Sequence, residues 1–304
     1  MHKILITGGA GFIPSCLAES LLKKNHKVVL VDNFLTGRKS NIPVNDRCTF
    51  VKADVNKYKE ISTVMKAHKF DYVFHYAAVV GVKRTLDNPL TVLEDINGIK
   101  NVLNLSKDIN VKRVFYSSSS EVYGEPVHLP QHEHKTPLNS RLPYAVVKNV
   151  GEAYFKSFFL EFGLEYTILR FFNTYGAKQS DDFVIAKFIK LALANDDITI
   201  YGDGSQTRTF CYIDDNIETT INALKSKLFI NDIVNIGNDH IVSIKDLASL
   251  IIDISGSKSK IVKLPPLKDG DMTKRQPDIS KMKLLLKREL TPLRTGLKKI
   301  IKPE

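Results

Sequence analysis

The sequence predicts an α/β fold, a doubly wound parallel sheet followed by a smaller C-terminal lobe. Three observations carry that expectation. Short runs rich in β-branched residues recur through the first 170 positions, apolar in succession rather than in alternation. Such runs mark strands buried on both faces, as parallel sheets require. Helix-length stretches separate the runs, which suits crossover connections. A glycine-rich turn closes the first run and opens the first helix.

Taken in order, the first strand falls at Lys3–Thr7 and a helix over 13–24 follows, with Ile13, Leu17, Leu21 and Leu22 on one side. Val28-Val29-Leu30-Val31 is the second strand and Thr49-Phe50-Val51 the third. Tyr72-Val73-Phe74, Arg113-Val114-Phe115-Tyr116 and Tyr166-Thr167-Ile168-Leu169 continue the series. Helices are expected at about 57–67, 89–109 and 143–162. After Phe171 the rhythm loosens. Polar loops at 173–182, 202–207 and 268–277 alternate with short elements at Ile198–Tyr201, 234–237 and 243–254. The expected division is a sheet domain over 1–171 and mainly a substrate-binding lobe over 172–304, with some later segments free to return to the sheet. Polar loops in the lobe would cover the crevice where open α/β sheets bind ligands.

Composition narrows the function. With 43 % apolar and 25 % charged residues, the 304-residue chain is neither disordered nor collagen-like. No apolar stretch approaches the roughly 18–20 residues that span a bilayer, so no membrane partner is expected. Met1 leads straight into the expected first strand, so no signal peptide is expected. Cys16, Cys48 and Cys211 are odd in number and far apart, so a disulfide framework is not expected. These features together suit the cytoplasm. The net charge of +11 is concentrated: residues 255–304 hold 14 Lys/Arg against 5 Asp/Glu. That end reads as a solvated surface or as help for an anionic substrate. RNP-like aromatic motifs and zinc knuckles are absent, so nucleic acid is not an expected partner. His132-Glu133-His134 lies in a loop at a spacing unlike a helical ligand pair, and no metal is expected.

The turn Thr7-Gly8-Gly9-Ala10-Gly11-Phe12-Ile13-Pro14 points to a dinucleotide. Gly9-x-Gly11 suits a tight turn whose backbone approaches a pyrophosphate, with a helix N-terminus supplying amide donors. Asp32 ends the second strand, 21 residues past Gly11, where a carboxylate can bond the adenosine ribose hydroxyls. Asp32 favours NAD over NADP because it repels a 2′-phosphate, although Arg38 lies close in sequence. Pro14 stands where a third glycine usually permits close helix–strand packing, so a slight displacement of the helix is expected.

Tyr144-Ala145-Val146-Val147-Lys148 puts a phenol and an ammonium on one helix face. The ammonium favours the phenolate and lowers the tyrosine pKa, which suits a base that takes a proton from a sugar hydroxyl. Ser117-Ser118-Ser119-Ser120 ends the fifth strand, where a hydroxyl can reach the same place.

With these motifs in place, the chain resembles the extended short-chain dehydrogenase/reductase family, Rossmann-type enzymes acting on nucleotide-diphosphate sugars. The likeness runs through residues 7–13, Val31-Asp32-Asn33, Ala53-Asp54-Val55, His75-Tyr76-Ala77-Ala78, residues 119–124, 144–148, 170–176 and 201–208, and Pro277-Asp278-Ile279-Ser280-Lys281. The resemblance implies that Gly8, Gly11, Phe12, Ile13, Asp32, Asn33, Asp54, Val55, Ala77 and Ala78 line NAD, with Tyr144 and Lys148. It implies that Ser119 polarises the substrate oxygen, that Tyr144 is the base and that Lys148 is its partner. Asn173 and Arg208 match positions that hold the diphosphate, and Arg275 or Lys268 adds charge there. Asp95 stands where the family has a bridging Asn, and an ionised Asp offers no amide donors. The resemblance also implies a homodimer or a higher homo-oligomer.

The shared first step is oxidation at sugar C4. A 4-epimerase is the first expectation. The alternatives are a UDP-glucuronate decarboxylase, a 4,6-dehydratase, a net C4 dehydrogenase, or an NAD-binding sensor or scaffold without catalysis. Glu121, two residues after Ser119, can serve as acid or base on the sugar. The loop over 79–84 should meet the sugar, and Lys83 or Arg84 would suit a carboxylate.

Overall fold

The computed structural model describes residues 1–265 and 275–303, with Val82 and Lys83 as backbone only. Through the sheet domain the chain runs β1 (Lys3–Thr7), α1 (Phe12–Lys23), β2 (Lys27–Asp32), β3 (Cys48–Lys52), α2 (Tyr58–Ala67), β4 (Tyr72–His75), α3 (Val82–Asp87), α4 (Pro89–Leu93), α5 (Asp95–Asp108), β5 (Arg113–Ser119), α6 (Pro143–Phe162) and β6 (Glu165–Phe171). It continues through β7 (Thr174–Tyr175), α7 (Val184–Ala194), β8 (Ile198–Tyr201), β9 (Thr207–Thr209), β10 (Cys211–Tyr212), α8 (Ile213–Lys225), β11 (Asp232–Ile236), β12 (Ile241–Ser243), α9 (Ile244–Ser255), β13 (Ile261–Leu264), α10 (Ser280–Leu286) and α11 (Leu293–Ile301).

Seven strands form one parallel sheet in the order β11-β6-β5-β4-β1-β2-β3. The continuous apolar runs resolve into two buried faces with a period of two. Ile4, Ile6, Val28, Leu30, Phe74 and Phe115 join Leu17 and Leu21 of α1 and Ile217 and Ile221 of α8 on one side. Leu5, Val29, Val31, Val73 and Val114 join Ile61 of α2, Val102 of α5 and Phe155 of α6 on the other. Helices on both faces leave the carboxyl ends of the strands open along one edge, and the site forms there.

Two segments differ from the sequence reading, and one point that it left open is decided. The helix expected over 89–109 divides into α4 and α5 at Glu94, where Asn97 N bonds Glu94 O and closes a tighter turn. Half of the loop expected over 79–84 is helix α3, which starts after Gly81 at φ 104°. That positive φ is open to glycine and strained for other residues. Beyond 171, β11 returns to the sheet beside β6, pairing Asp232 with Thr167 through Ile236 with Phe171. No described helix is long and apolar enough to cross a membrane.

Candidate active site

A cavity of about 730 Å³ opens at the carboxyl ends of the strands. Its floor begins at the first turn. Gly8 has φ +71°, and a Cβ there would lie 2.9 Å from Ala77 N, so the turn is pressed against the chain leaving β4. Gly11 N bonds Gly8 O at 2.9 Å, and α1 starts at the next residue. The first amides of α1 have no partner within the helix, and they belong to Phe12 and Ile13, which line the cavity. Pro14 is the third residue of α1, in the first turn where its missing N–H costs nothing. Its ring lies 3.3 Å from where a Gly11 Cβ would sit, so it fills the space next to that glycine.

Asp32 ends β2 as a buried carboxylate. Oδ2 accepts from Ala10 N at 3.0 Å and Oδ1 from Phe34 N at 2.7 Å. Burial raises its pKa, and the two amides oppose that rise. Asn33, Asp54, Val55, Ala77 and Ala78 line the same half of the cavity, as does the exposed Arg38. The sequence reading missed the clamp beneath them. Thr7 Oγ1 accepts from Tyr76 N and Ala77 N at 3.1 and 3.2 Å and meets His75 Nδ1 at 2.9 Å. With two donors already on that oxygen, its own proton goes to Nδ1, and burial pushes the His75 pKa down to about 3. Thr7 and His75 are Cα partners between β1 and β4, a register that no local sequence pattern reports. Pressed glycine, aimed carboxylate and helix N-terminus fit a bound NAD.

The other half carries the polar side chains. Ser119 ends β5, and its Oγ accepts from Glu121 N at 3.2 Å. Tyr144 stands in the first turn of α6, half-buried, and bonds Ser119. Lys148, one turn on, is buried and donates to Ser117 O at 2.6 Å, with its Nζ 5.7 Å from the Tyr144 ring centre. The expected lowering of the Tyr144 pKa is not what the structure gives. Burial raises it, opposed by the hydrogen bond with Ser119, because Lys148 is committed to a backbone carbonyl rather than to the phenol oxygen. Burial lowers the Lys148 pKa to about 8, and Asp95 works against that fall. Asp95 keeps the acceptor half of the expected bridge. Its Oδ2 accepts from Val79 N at 2.8 Å and its Oδ1 from Asn56 Nδ2 at 3.4 Å.

Glu121 and Arg275 meet inside the cavity. Arg275 Nη2 donates to Glu121 Oε1 at 2.6 Å, and Nη1 lies 3.4 Å from Ser120 Oγ. Glu121 Oε2 is buried with no hydrogen-bond partner among the described residues. Asn173 also lines the cavity and donates to Thr209 O at 3.1 Å. Arg84 lines it too, bonded to Val80 O at 2.7 Å and 4.0 Å from Asp182. Arg208 is placed apart from this set: it sits on β9, donates to Thr207 O, and is not among the lining residues. The side chain of Lys83, and Lys268 altogether, lie outside the described residues. Lys178 is a lining cation that the sequence reading passed over; its Nζ holds Glu19 of α1 at 2.6 Å.

The arrangement provides a nucleotide-binding half and, within the same cavity, a hydroxyl, a phenol and an ammonium able to move one proton. Comparison with known proteins agrees with that geometry. The chain is 36 % identical to a UDP-N-acetyl-alpha-D-glucosaminuronate decarboxylase of Bacillus cytotoxicus, over 92 % of this chain and 90 % of that protein. The crystal structure of a UDP-glucose 4-epimerase of Thermotoga maritima with UDP-glucose superposes with a TM-score of 0.92 at 31 % identity, covering 99 % of this chain and 97 % of that one. The UDP-glucuronic acid 4-epimerase of Bacillus cereus, solved with UDP-glucuronic acid and NAD, gives 0.89 at 33 % identity and covers 99 % of each chain. Residues 4–237 match the family described as NAD dependent epimerase/dehydratase. With the glycine turn, Asp32 and the Ser119–Tyr144–Lys148 set assembled in one cavity, the chain belongs to that NAD-dependent epimerase/dehydratase family.

Proposed function

We propose that the protein is a nucleotide-diphosphate-sugar 4-epimerase that works by transient oxidation at C4. The observation that carries this reading is that Ser119, Tyr144 and Lys148 line one cavity with the glycine turn and Asp32. When bound, NAD would accept the hydride of C4 and give it back, and its oxidised form would bring positive charge to the site. Tyr144 Oη takes the proton of the C4 hydroxyl, and Ser119 holds that oxygen in place. Lys148 anchors the wall beside the phenol through Ser117 O. Asn173 and Lys178 would grip the diphosphate while the keto sugar turns over, and the Arg275–Glu121 pair would face the sugar. The proton then returns from Tyr144 with the opposite face of C4 presented. Two copies would pair through α5 and α6, which lie side by side on one face of the sheet; sedimentation reads that mass directly.

One observation favours a second reading, decarboxylation of a nucleotide-linked uronic acid. A guanidinium and a carboxylate, Arg275 and Glu121, stand together beside Ser119. They could receive a sugar carboxylate and later protonate the carbon that loses it. Product analysis from a panel of UDP-sugars, with no NAD added, separates the two. An unchanged mass and a new stereoisomer by NMR is the expected result. Loss of carbon dioxide from a uronate would overturn it in favour of the second reading.

A further inference from the structure

We propose that Asn235, which does not line the cavity, is a positioning residue that sets the place of Arg275 against Glu121. The proposal rests on the reading that this ion pair faces the sugar.

Asn235 lies on the edge strand β11 and is fully buried. Its amide is used on every side. Nδ2 donates to Gln131 O at 2.8 Å and to Asp278 O at 3.2 Å. Oδ1 accepts from Tyr123 Oη at 2.7 Å. Two carbonyls can only accept, so they fix which end of the amide is nitrogen. The backbone N of Asn235 donates to Glu133 Oε1 at 2.9 Å.

The groups held by Nδ2 belong to two segments joined by an isolated parallel bridge between Gln131 and Pro277. Gln131 N donates to Gln276 O at 2.7 Å, and Asp278 N to Gln131 O at 2.8 Å. Arg275 is the residue before Gln276, so its backbone height follows from this pairing. On the other side, Tyr123 closes the same turn that carries Glu121. Tyr123 Oη also receives Arg170 Nη1 at 2.8 Å. Arg170 holds Glu152 of α6 through two bonds of 2.8 and 2.7 Å, and Glu152 accepts from Ser118 at 2.6 Å. One buried chain of hydrogen bonds therefore joins the strand bearing Ser119, the turn bearing Glu121 and the segment bearing Arg275. Asn235 is its only described side chain that bonds both the Glu121 turn and the 275–278 segment. Along this path the joining groups of Asn235, Tyr123, Arg170 and Glu152 are all hydrogen-bonded, and such a network holds one arrangement and penalises others.

Asn235→Asp tests this with an isosteric change that turns two donors into an acceptor facing two carbonyls. The measurement is a double-mutant cycle with Arg275→Met, reading kcat/KM for the sugar that the protein turns over. Asn235→Asp alone is expected to lower it about tenfold or more, since small misplacements cost that much. In the Arg275→Met background the same change is expected to add little. Losses that multiply in full would overturn the proposal, because a merely structural role acts independently of Arg275. Crystal structures of Asn235→Asp and of the milder Tyr123→Phe give a readout that needs no turnover. The Arg275–Glu121 contact should open beyond about 4 Å, the limit of an ion pair; a contact kept in both variants would overturn the proposal. Full turnover by Arg275→Met would instead sink the reading that the pair serves the sugar, and the crystal structures would still decide the positioning role.

Discussion

Burial holds the Tyr144 proton on its oxygen, so the residue becomes a base only when positive charge lies beside it. Its pairing with Ser119 then sets what each substitution does. Tyr144→Phe is expected to cut kcat by about 10²–10⁴, the usual worth of a placed proton acceptor. The sugar Kd should stay within a few-fold, because a phenyl ring fills the same space. Calorimetric Kd beside steady-state kcat checks both, and near-normal turnover would remove Tyr144 from the chemistry. Lys148 carries the pH dependence. Its ammonium has a pKa lowered to about 8, so it is charged below that pH and neutral above. If its charge helps hold the cofactor, NAD affinity falls between pH 7 and pH 9. Titration of cofactor-stripped protein at the two values measures this. Lys148→Arg should flatten the profile, since a guanidinium keeps its charge throughout.

Elements are joined here by buried polar pairs as well as by apolar faces. Arg170 of β6 and Glu152 of α6 are each about 1 % exposed and bonded twice. Arg170→Met leaves a buried carboxylate without its cation, a change that costs about 3–5 kcal/mol. Urea unfolding should show a loss of that size, and one below about 1 kcal/mol would mean that water reaches Glu152. Between β1 and β4, His75 is neutral with its pKa near 3, well below its unfolded value of 6.5. The unfolded chain therefore binds the extra proton between those values. Stability from this group is full above pH 6.5 and drains away as pH falls toward 3, by on the order of a few kcal/mol. His75→Gln should make acid unfolding less steep in that window. The sequence showed neither pair as such. Arg170 and Glu152 are 18 residues apart, and nothing in a local pattern says that a strand arginine and a helix glutamate share one burial site. Tyr144 and Lys148 were legible because four residues along a helix share a face; the serine row marked a strand end, and the family resemblance picked out Ser119 within it. Arg275, with Lys268, came from the family resemblance, and its contact with Glu121 joins positions 154 apart in sequence, which no local pattern reports.

For the whole molecule, the strand runs up to Phe171 were readable because apolar succession is a local signal. The return of Asp232–Ile236 to the sheet was left open, since pairing between β6 and β11 follows only from the completed layers. That pairing makes the two parts of the chain interdependent. Without residues beyond 171, β6 would present an open edge, and α1 would lose α8, with Ile217 and Ile221, from its apolar side. A protein ending at residue 171 is expected to aggregate or to give broad, unfolded amide spectra; a sharp monomeric NMR spectrum would show that the first part folds alone. During synthesis the same dependence becomes a matter of time. About 65 residues separate the end of β6 from the end of β11. At ribosomal speeds of about 5–20 residues per second, the sixth strand waits roughly 3–13 s for its neighbour. Through that interval a nascent chain carries a sticky edge, and its yield in the cell would depend on how slowly the ribosome crosses residues 172–236 and on what shields the edge meanwhile.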